Sequence, residues 1–308
     1  MWRLNASQLK EQGVHYHVPE KIDGGGFGKI TSGNGGLALR GPDELTAALG
    51  CEDNLSCLLT SEHFFTQLAS GENLNFLVKT ASQNGFKRVK VLMFVREPIS
   101  LMSSLYDQYL KRANGKLTIE EFYQNQSIDV TPVKTRQVIE KVSVLEGVDL
   151  KVINYTHNKR NILDLSSQWM GIDPAKFGAP ENHTVNRSLS SGERELLRQL
   201  NQVCARDAIS LANDLCEKLP TIKSDQIIPP EKVQQSFIEN NGDHFEVIQQ
   251  ALPSDQPLRL ELQNPTDANG FHFDREQLAE IVKYLVRFQK KQGFVASKLR
   301  SFRRRFGI

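Results

Sequence analysis

The chain has 308 residues, of which 39% are hydrophobic and 24% are charged, and its formal net charge is +2. This composition is typical of a globular protein with a buried core, and it excludes a disordered or fibrous chain. No apolar run approaches the roughly 18 residues that a membrane helix needs. Residues 281–308 hold nine Lys and Arg and no acidic residue, so subtracting these nine from +2 leaves residues 1–280 at −7. We expect the basic character in this tail alone, and no nucleic-acid partner.

The four cysteines form no C-x-x-C pair and stand with no cluster of histidines; they are Cys51, Cys57, Cys204 and Cys216. This spacing predicts reduced thiols. His15 and His17 alternate on a short segment without a third ligand nearby, which indicates a solvent-exposed strand edge and no metal site. The N-terminus lacks the apolar core of a signal peptide, so we expect a cytoplasmic location.

The first predicted element is a short helix over residues 2–12, which Gly13 ends, and residues 14–16 then read as extended. Residues 23–36 contain seven glycines in fourteen positions, which predicts a mobile loop without packed structure. Its Gly28-Lys29 pair suggests a phosphate-binding loop, but the first glycine of G-x-x-x-x-G-K-[ST] is missing and Ile30 replaces the Ser or Thr. We therefore favour an ordinary loop here.

Apolar runs of strand length alternate with helical patterns in the middle of the chain. The predicted strands are 55–60, 89–95 and 150–154, and helices are predicted from Ser61, from Pro98 to about Arg112, from the Thr118/Glu121 capping box, and up to Gly171. Continuous apolar runs such as VKVLMFV are typical of strands buried on both faces of a parallel sheet. The alternation predicts a three-layer α/β domain with a largely parallel sheet.

The chain becomes helical after about residue 188, where Ser190 and Glu193 form another capping box. Residues 220–270 contain six prolines and are predicted to be irregular. Asp274 and Gln277 open a last helix that runs into the basic tail. We therefore predict one α/β domain over residues 1–280, followed by an amphipathic tail over 281–308.

Residues 89–112 carry the pattern with the clearest chemistry. A buried strand delivers Arg96 to its carboxyl end, where open α/β sheets bind ligands, and the helix that follows directs its N-terminal N–H groups to the same space. Ser100, Ser103 and Ser104 add hydroxyl groups, and arginine offers a fork of donors that suits phosphate oxygens. The pattern predicts an anion site, although Arg96 could instead pair with a carboxylate and the serines could only cap the helix.

This segment resembles the 3′-phosphate-binding motif of sulfotransferases that use 3′-phosphoadenosine 5′-phosphosulfate (PAPS): a hydrophobic strand, an arginine, a proline two residues later, and a serine eight positions after the arginine. Three flanking segments resemble the bacterial, carbohydrate-directed branch of that family in the same order; they are LLTSEHFFTQL (58–68), KVINYTHNKRNILDLSSQWMGID (151–173) and VNRSLSSGERELLRQLN (185–201). The resemblance implies a P-loop-type fold, PAPS as co-substrate without a metal, and transfer of its sulfuryl group to a hydroxyl, on a carbohydrate by preference.

The resemblance also implies roles for individual residues. Arg96 and Ser104 would hold the 3′-phosphate, helped by Ser100, and Asn186 and Ser188 would line the nucleotide or acceptor side. The last two could equally be a helix-entry loop whose hydroxyls serve as caps.

Sulfuryl transfer needs a base that takes the acceptor proton. Glu62 is the first candidate for this base, and His63 is the second. Glu62 could instead be a helix-start residue that the helix dipole stabilises.

The family begins with a strand and a K-[TS]-G-[TS]-[TS] loop that holds the 5′-phosphosulfate, and residues 1–308 contain no such segment. Residues 4–16 (LNASQLKEQGVHY) resemble the end of the helix that follows this loop. The expected explanations are a start codon placed too late, a truncated gene or a degenerate relative. The alternative function is therefore a non-catalytic protein that binds adenosine 3′,5′-bisphosphate or a partner.

The tail repeats apolar residues at helical spacing among basic ones; they are Val295, Leu299, Phe302 and Phe306. This pattern could lie weakly on an anionic membrane surface. The alternative is a solvated terminal helix with one packed stripe.

Overall fold

The chain, described by a computed structural model, divides into two compact units that are each built from three segments. Unit 1 comprises Met1–Pro98, Asn125–His183 and Gln235–Leu262, and unit 2 comprises Ile99–Gln124, Thr184–Gln234 and Gln263–Ile308. The structure describes residues 2–18, 33–35, 41–51, 55–61, 64–112, 115–125, 132–177, 187–266 and 271–289. The fold is helix-rich and mixed α/β with short parallel strands, which confirms the predicted class at that level.

The elements of the first half, in chain order, are a 3-10 helix Trp2–Asn5, α1 Ala6–Glu11, β1 Val14–His15, α2 Pro42–Leu49, β2 Ser56–Cys57, α3 Phe64–Ala69, α4 Glu72–Gln83, β3 Val89–Val95, α5 Pro98–Lys111, α6 Ile119–Gln124 and α7 Pro132–Ser143. Those of the second half are β4 Val148–Asn154, α8 Tyr155–Asn158, α9 Ile162–Met170, a 3-10 helix Pro174–Lys176, α10 Ser191–Val203, α11 Ala205–Lys218, α12 Glu231–Asn240, α13 Gly242–Ala251 and α14 at 275–289.

The strands of unit 1 form two parallel pairs within the described residues. β3 runs beside β4 over its whole length, from Val89 opposite Val148 to Val95 opposite Asn154, and α7 packs on β4. The predicted strand over 89–95 is confirmed, but only Met93 and Val95 are fully buried, so burial on both faces does not extend along the strand. The ends of α5 and α9 also match the prediction, and Gly171 closes α9 in the left-handed region at φ 75°.

β2 is shorter than the strand predicted over 55–60. Beyond its two residues, the side chain of Asn34 takes over from a strand partner: it donates to the Leu58 carbonyl and accepts from the Thr60 N–H. Asn34 is only 3% exposed, so this part of the glycine-rich segment is packed, against the prediction of an unpacked loop over 23–36. Gly33 is required there, because a Cβ would collide with the Thr60 carbonyl oxygen. The Gly28-Lys29 pair lies outside the described residues.

The prediction that residues 220–270 are irregular is wrong, because α12 and α13 lie there. The prolines surround these helices and do not enter them. The Pro230 carbonyl accepts the N–H groups of Val233 and Gln234, so Pro230 directly precedes α12 and caps its first turn. In unit 1, Phe237 packs edge-on against Phe245 of α13.

Two buried ion pairs lie in unit 2. Arg187 forks onto both carboxylate oxygens of Glu193, at 2.6 and 2.7 Å, and Arg194 donates to Asp107 at 2.6 Å. All four side chains are at most 5% exposed. Glu193 also completes the predicted capping box with Ser190, which is confirmed at the start of α10. Each charge needs its partner, because a lone buried charge would be strongly destabilising.

Residue 280, the predicted end of the main domain, lies inside α14. Gln277 and Asp274 bond reciprocally at the start of this helix, as the sequence predicted. Through residue 289, one face of α14 packs in unit 2 through the buried Gln277, Glu280 and Tyr284. Residues 290–308 lie outside the described part of the chain. Among the described helices, none combines the length and the apolar character needed to cross a bilayer.

Candidate anion-binding site at the strand ends

The carboxyl ends of β3 and β4 lie side by side, because Val95 is opposite Asn154 in the parallel register. Arg96 follows β3 directly, and α8 follows β4. Lys159 and Arg160 come after α8, and both are exposed. Cations thus follow both strands, at the edge of a parallel pair where ligands bind in open α/β sheets.

Arg96 is half-buried, and its guanidinium carbon lies 5.7 Å from the centre of the Tyr155 ring. The ring face stabilises the cation without using its N–H donors. Among the described residues, no carboxylate forms an ion pair with Arg96. Within this part of the chain, the alternative that Arg96 only serves a structural ion pair has no support. Among the described residues, no acceptor occupies its planar fork of donors, which suits an anion.

Glu97 is the neighbouring carboxylate, and both of its oxygens are occupied. Oε1 accepts from Asn154 Nδ2 at 3.1 Å, and Oε2 accepts from the backbone N–H of Arg259 at 2.6 Å. Glu97 is 6% exposed. Because a buried carboxylate must be satisfied by donors, this arrangement holds the two strand ends and the Arg259 backbone together. Glu97 is therefore a positioning residue for the turn that carries Arg96.

Asn154, at the end of β4, and Asn158, in α8, bind the segment that contains Arg259. Asn154 Nδ2 also donates to the Pro257 carbonyl at 2.9 Å, while its Oδ1 caps α8. Asn158 Nδ2 donates to Gln256 Oε1 at 2.7 Å. The strand-end edge of unit 1 is thus built partly by residues 256–259, which lie about a hundred positions further along the chain.

The structure separates the three serines of α5, which belong to unit 2. Ser103 is buried, and its hydroxyl donates to the carbonyls of Ile99 and Ile227, so it is a structural residue. Ser100 is half-buried and accepts from Gln226 Nε2 at 3.1 Å. Ser104 is half-buried and has no hydrogen-bond partner among the described residues. Among the described residues, the Ser104 hydroxyl therefore has no partner, and the Ser100 hydroxyl can still donate to a ligand.

Of the other candidate site residues, the structure describes only Ser188. Ser188 is half-buried in unit 2, and its carbonyl accepts from Arg187 Nη1 at 3.0 Å. Glu62, His63 and Asn186 lie outside the described residues. The boundary between the units falls between Pro98 and Ile99, so the geometry described here for the site rests on Arg96 and its neighbours in unit 1.

Sequence reasoning missed Glu97, Asn154 and the 256–259 segment. A signal existed for the first two, since each is a polar residue at the end of a buried strand. No local signal existed for 256–259, because its role depends on bonds to residues far away in the sequence.

The described residues contain no group of three or more His, Cys, Asp and Glu side chains that could hold a metal ion. No protein-family model, no curated protein and no solved structure matches the chain.

Proposed function

We propose that this protein binds the 3′-phosphate of PAPS or of adenosine 3′,5′-bisphosphate at Arg96, as a sulfotransferase-like protein. The proposal depends on the position and the contacts of Arg96. This residue lies at the carboxyl end of a parallel strand pair and contacts the Tyr155 ring, and it forms no ion pair with a described residue. The resemblance implies that Ser104 binds the same phosphate as Arg96. In support of this, the Ser104 hydroxyl has no hydrogen-bond partner among the described residues.

The proposed reaction is transfer of the sulfuryl group from PAPS to a hydroxyl, with a carbohydrate as the preferred acceptor. The fold proposed for it is a P-loop-type, three-layer arrangement, of which the parallel pair β3 and β4 would be the central part. Ser100, Asn186 and Ser188 are proposed as further nucleotide contacts, and Glu62 or His63 as the base. This chemistry needs no metal ion.

The second form of the proposal is a non-catalytic protein that binds adenosine 3′,5′-bisphosphate. The 5′-phosphosulfate needs preorganised donors, and residues 1–308 lack the K-[TS]-G-[TS]-[TS] loop that supplies them in the family. Titration calorimetry of residues 1–308 with the bisphosphate tests binding, and a PAPS turnover assay on mixed saccharides separates the two forms. The absence of any heat of binding would contradict both forms.

Glu62→Gln tests the proposed base in any preparation that turns over PAPS. We expect kcat to fall by about 10²-fold or more, with nucleotide affinity nearly unchanged, because the amide cannot take the acceptor proton. Glu72→Gln is the matched control, since Glu72 is an exposed carboxylate in the first turn of α4, and it should leave kcat unchanged. Loss of nucleotide binding in Glu62→Gln would make Glu62 structural, and full activity would point to His63.

A second candidate function concerns the outer face of α14. Four apolar side chains at helical spacing are between 45% and 56% exposed there; they are Leu278, Val282, Leu285 and Val286. The basic stretch 281–308 overlaps and follows this face in the sequence. A partner must therefore be both apolar and anionic, and the interface of an anionic bilayer has both properties. We propose a weak peripheral membrane contact through residues 281–308 and the adjoining Leu278.

The groove beside this face is also lined by apolar and charged side chains. It is an open groove of about 570 Å³, and its lining residues are Lys218, Glu280, Val282, Lys283, Val286 and Arg287. The three cations share two carboxylates, Asp214 and Glu280, so this network keeps one excess positive charge. The excess charge favours an anionic head group over a neutral one.

Val282→Asp should weaken binding to phosphatidylserine-containing vesicles roughly tenfold, since burial of one such apolar side chain contributes about 1.5 kcal/mol. Cosedimentation at low and high salt measures this, and binding of the unaltered protein should fall with salt. Val203→Asp is the matched control: Val203 is also exposed, but it ends α10. Equal binding to pure phosphatidylcholine vesicles, or equal loss in the control, would contradict the membrane contact.

A further inference from the structure

Cys51 and Cys57 lie with their sulfur atoms 3.0 Å apart, in an S–H···S contact in which Cys57 is the donor. Cys51 directly follows Gly50, which ends α2, and Cys57 is the last residue of β2. The Gly50 N–H bonds to Thr46 of α2, and the N–H after Cys57 bonds to His15 of β1. Both sulfur atoms are thus held by backbone that is anchored in unit 1.

The two thiols contact the protein interior on one side and remain partly accessible to solvent. Cys57 packs against a buried cluster formed by α2 and α4, whose members are Leu45, Ala48, Leu49 and Ala81. Cys51 Sγ lies 3.7 Å from the Leu55 carbonyl, and Cys57 Sγ lies 3.6 Å from the Leu49 carbonyl. Both cysteines are free and only half-buried, so a small reagent can reach them.

Among the described residues, no further metal ligand accompanies this pair. Structural zinc takes four ligands from Cys, His, Asp or Glu. The described residues hold no group of three or more such side chains. The two thiols therefore contact each other without a further ligand in the described part of the chain, as in a redox-active pair of cysteines.

We propose that Cys51 and Cys57 are a reversible oxidation site, at which a small-molecule disulfide such as oxidised glutathione converts the two thiols into an intramolecular disulfide. This link would join the end of α2 to β2. Disulfides of this kind are rare in reducing compartments except as redox-responsive sites.

The exchange proceeds in two displacements. The Cys51 thiolate attacks one sulfur of oxidised glutathione, whose S–S bond breaks and releases one glutathione thiolate. Cys57 then loses its proton and attacks the Cys51 sulfur, forming the Cys51–Cys57 bond and releasing the second glutathione. The protein loses two electrons, oxidised glutathione gains them, and the two thiol protons end on two glutathione thiols.

The order follows from the different environments of the two thiols. Burial raises the pKa of the Cys57 thiol, and its hydrogen bond to Cys51 raises that pKa further. Because the thiolate is the attacking species, Cys51 reacts first and Cys57 resolves the mixed disulfide. The contact between the sulfur atoms gives the second displacement a high effective concentration, so the mixed disulfide does not accumulate.

The test uses the full chain, equilibrated at increasing ratios of oxidised to reduced glutathione, quenched with acid, alkylated with N-ethylmaleimide and digested with trypsin. The tryptic peptide 41–79 contains both cysteines and no other. We expect it to lose both alkylation sites in one step, with the loss of two hydrogens and no retained glutathione. Two alkylated thiols at every ratio, or a stable glutathione adduct, would overturn the proposal.

The chain supplies its own controls. Cys204 and Cys216 fall in separate tryptic peptides, 199–206 and 207–218, and each reports a single thiol in the same sample. Cys204→Ser should leave the midpoint of the Cys51–Cys57 transition unchanged. Cys57→Ser should be alkylated at Cys51 faster than Cys51→Ser is alkylated at Cys57, and the reverse order would overturn the assigned sequence of steps.

Discussion

Replacing Arg96 with alanine is expected to lower the affinity for adenosine 3′,5′-bisphosphate by about 10²-fold or more. A charge-assisted bond to a phosphate contributes roughly 1.5–3 kcal/mol, and the guanidinium fork can make two of them. Each 1.4 kcal/mol changes the affinity about tenfold. Titration calorimetry at fixed salt measures the change.

Arg88→Ala is the matched control for this experiment. Arg88 precedes β3 at its amino end and pairs with Asp149 at 3.1 Å on the surface. Its removal changes the net charge equally and should leave the affinity nearly unchanged. Ser104→Ala should cost at most about tenfold, since it removes one neutral donor. Unchanged affinity in Arg96→Ala, or equal losses in Arg96→Ala and Arg88→Ala, would show that the phosphate does not bind at the end of β3.

Glu193→Ala should lower the free energy of unfolding by about 3–5 kcal/mol, because it leaves the Arg187 guanidinium buried without its counter-charge. The Glu193 side chain is fully buried, and it accepts both Arg187 bonds and the N–H of Ser190. The variant therefore also loses the capping box of α10. Urea denaturation compares the variant with the unaltered protein.

Two further variants separate charge burial from other effects. Glu195→Ala removes the same residue type from the same helix, but Glu195 and its partner Arg198 are only half-buried and reach water, so the cost should be clearly smaller, on the order of 1 kcal/mol. Replacing Arg187 and Glu193 together by Met should recover much of the loss, since no unpaired charge remains. If the double variant were as unstable as Glu193→Ala, packing and capping would be the cause.

The same carboxylate predicts a pH dependence. Burial raises the pKa of Glu193, but the hydrogen bonds from Arg187, Ser190 and Gln277 outweigh it, and the net pKa is lowered. A lowered folded-state pKa contributes stability above the unfolded value of about 4.3, and this stability is lost as the pH falls through the folded pKa. The difference in stability between the unaltered protein and Glu193→Gln should therefore narrow at acid pH. A difference that stays constant from neutral to acid pH would contradict this linkage.

Local patterns were enough to predict several parts of this protein from the sequence. The β3 strand follows from a continuous apolar run, and the start of α10 follows from a serine and a glutamate three positions apart. Arg96 was placed at a strand end by the same reasoning. Each of these features depends on residues within a few positions of one another, so composition and spacing contain the necessary information.

Other features depend on contacts between residues far apart in the sequence, and only the tertiary structure decided them. Glu97 binds the backbone of Arg259, and Asn34 replaces a strand partner for Leu58 and Thr60. The prolines near α12 suggested irregular chain, although Pro230 directly precedes the helix and caps its first turn. Cys51 and Cys57 show no spacing motif, yet α2 and β2 bring their sulfur atoms together. Side-chain hydrogen bonds and sulfur contacts require positions in space, and a local pattern does not specify which distant residue will supply the partner.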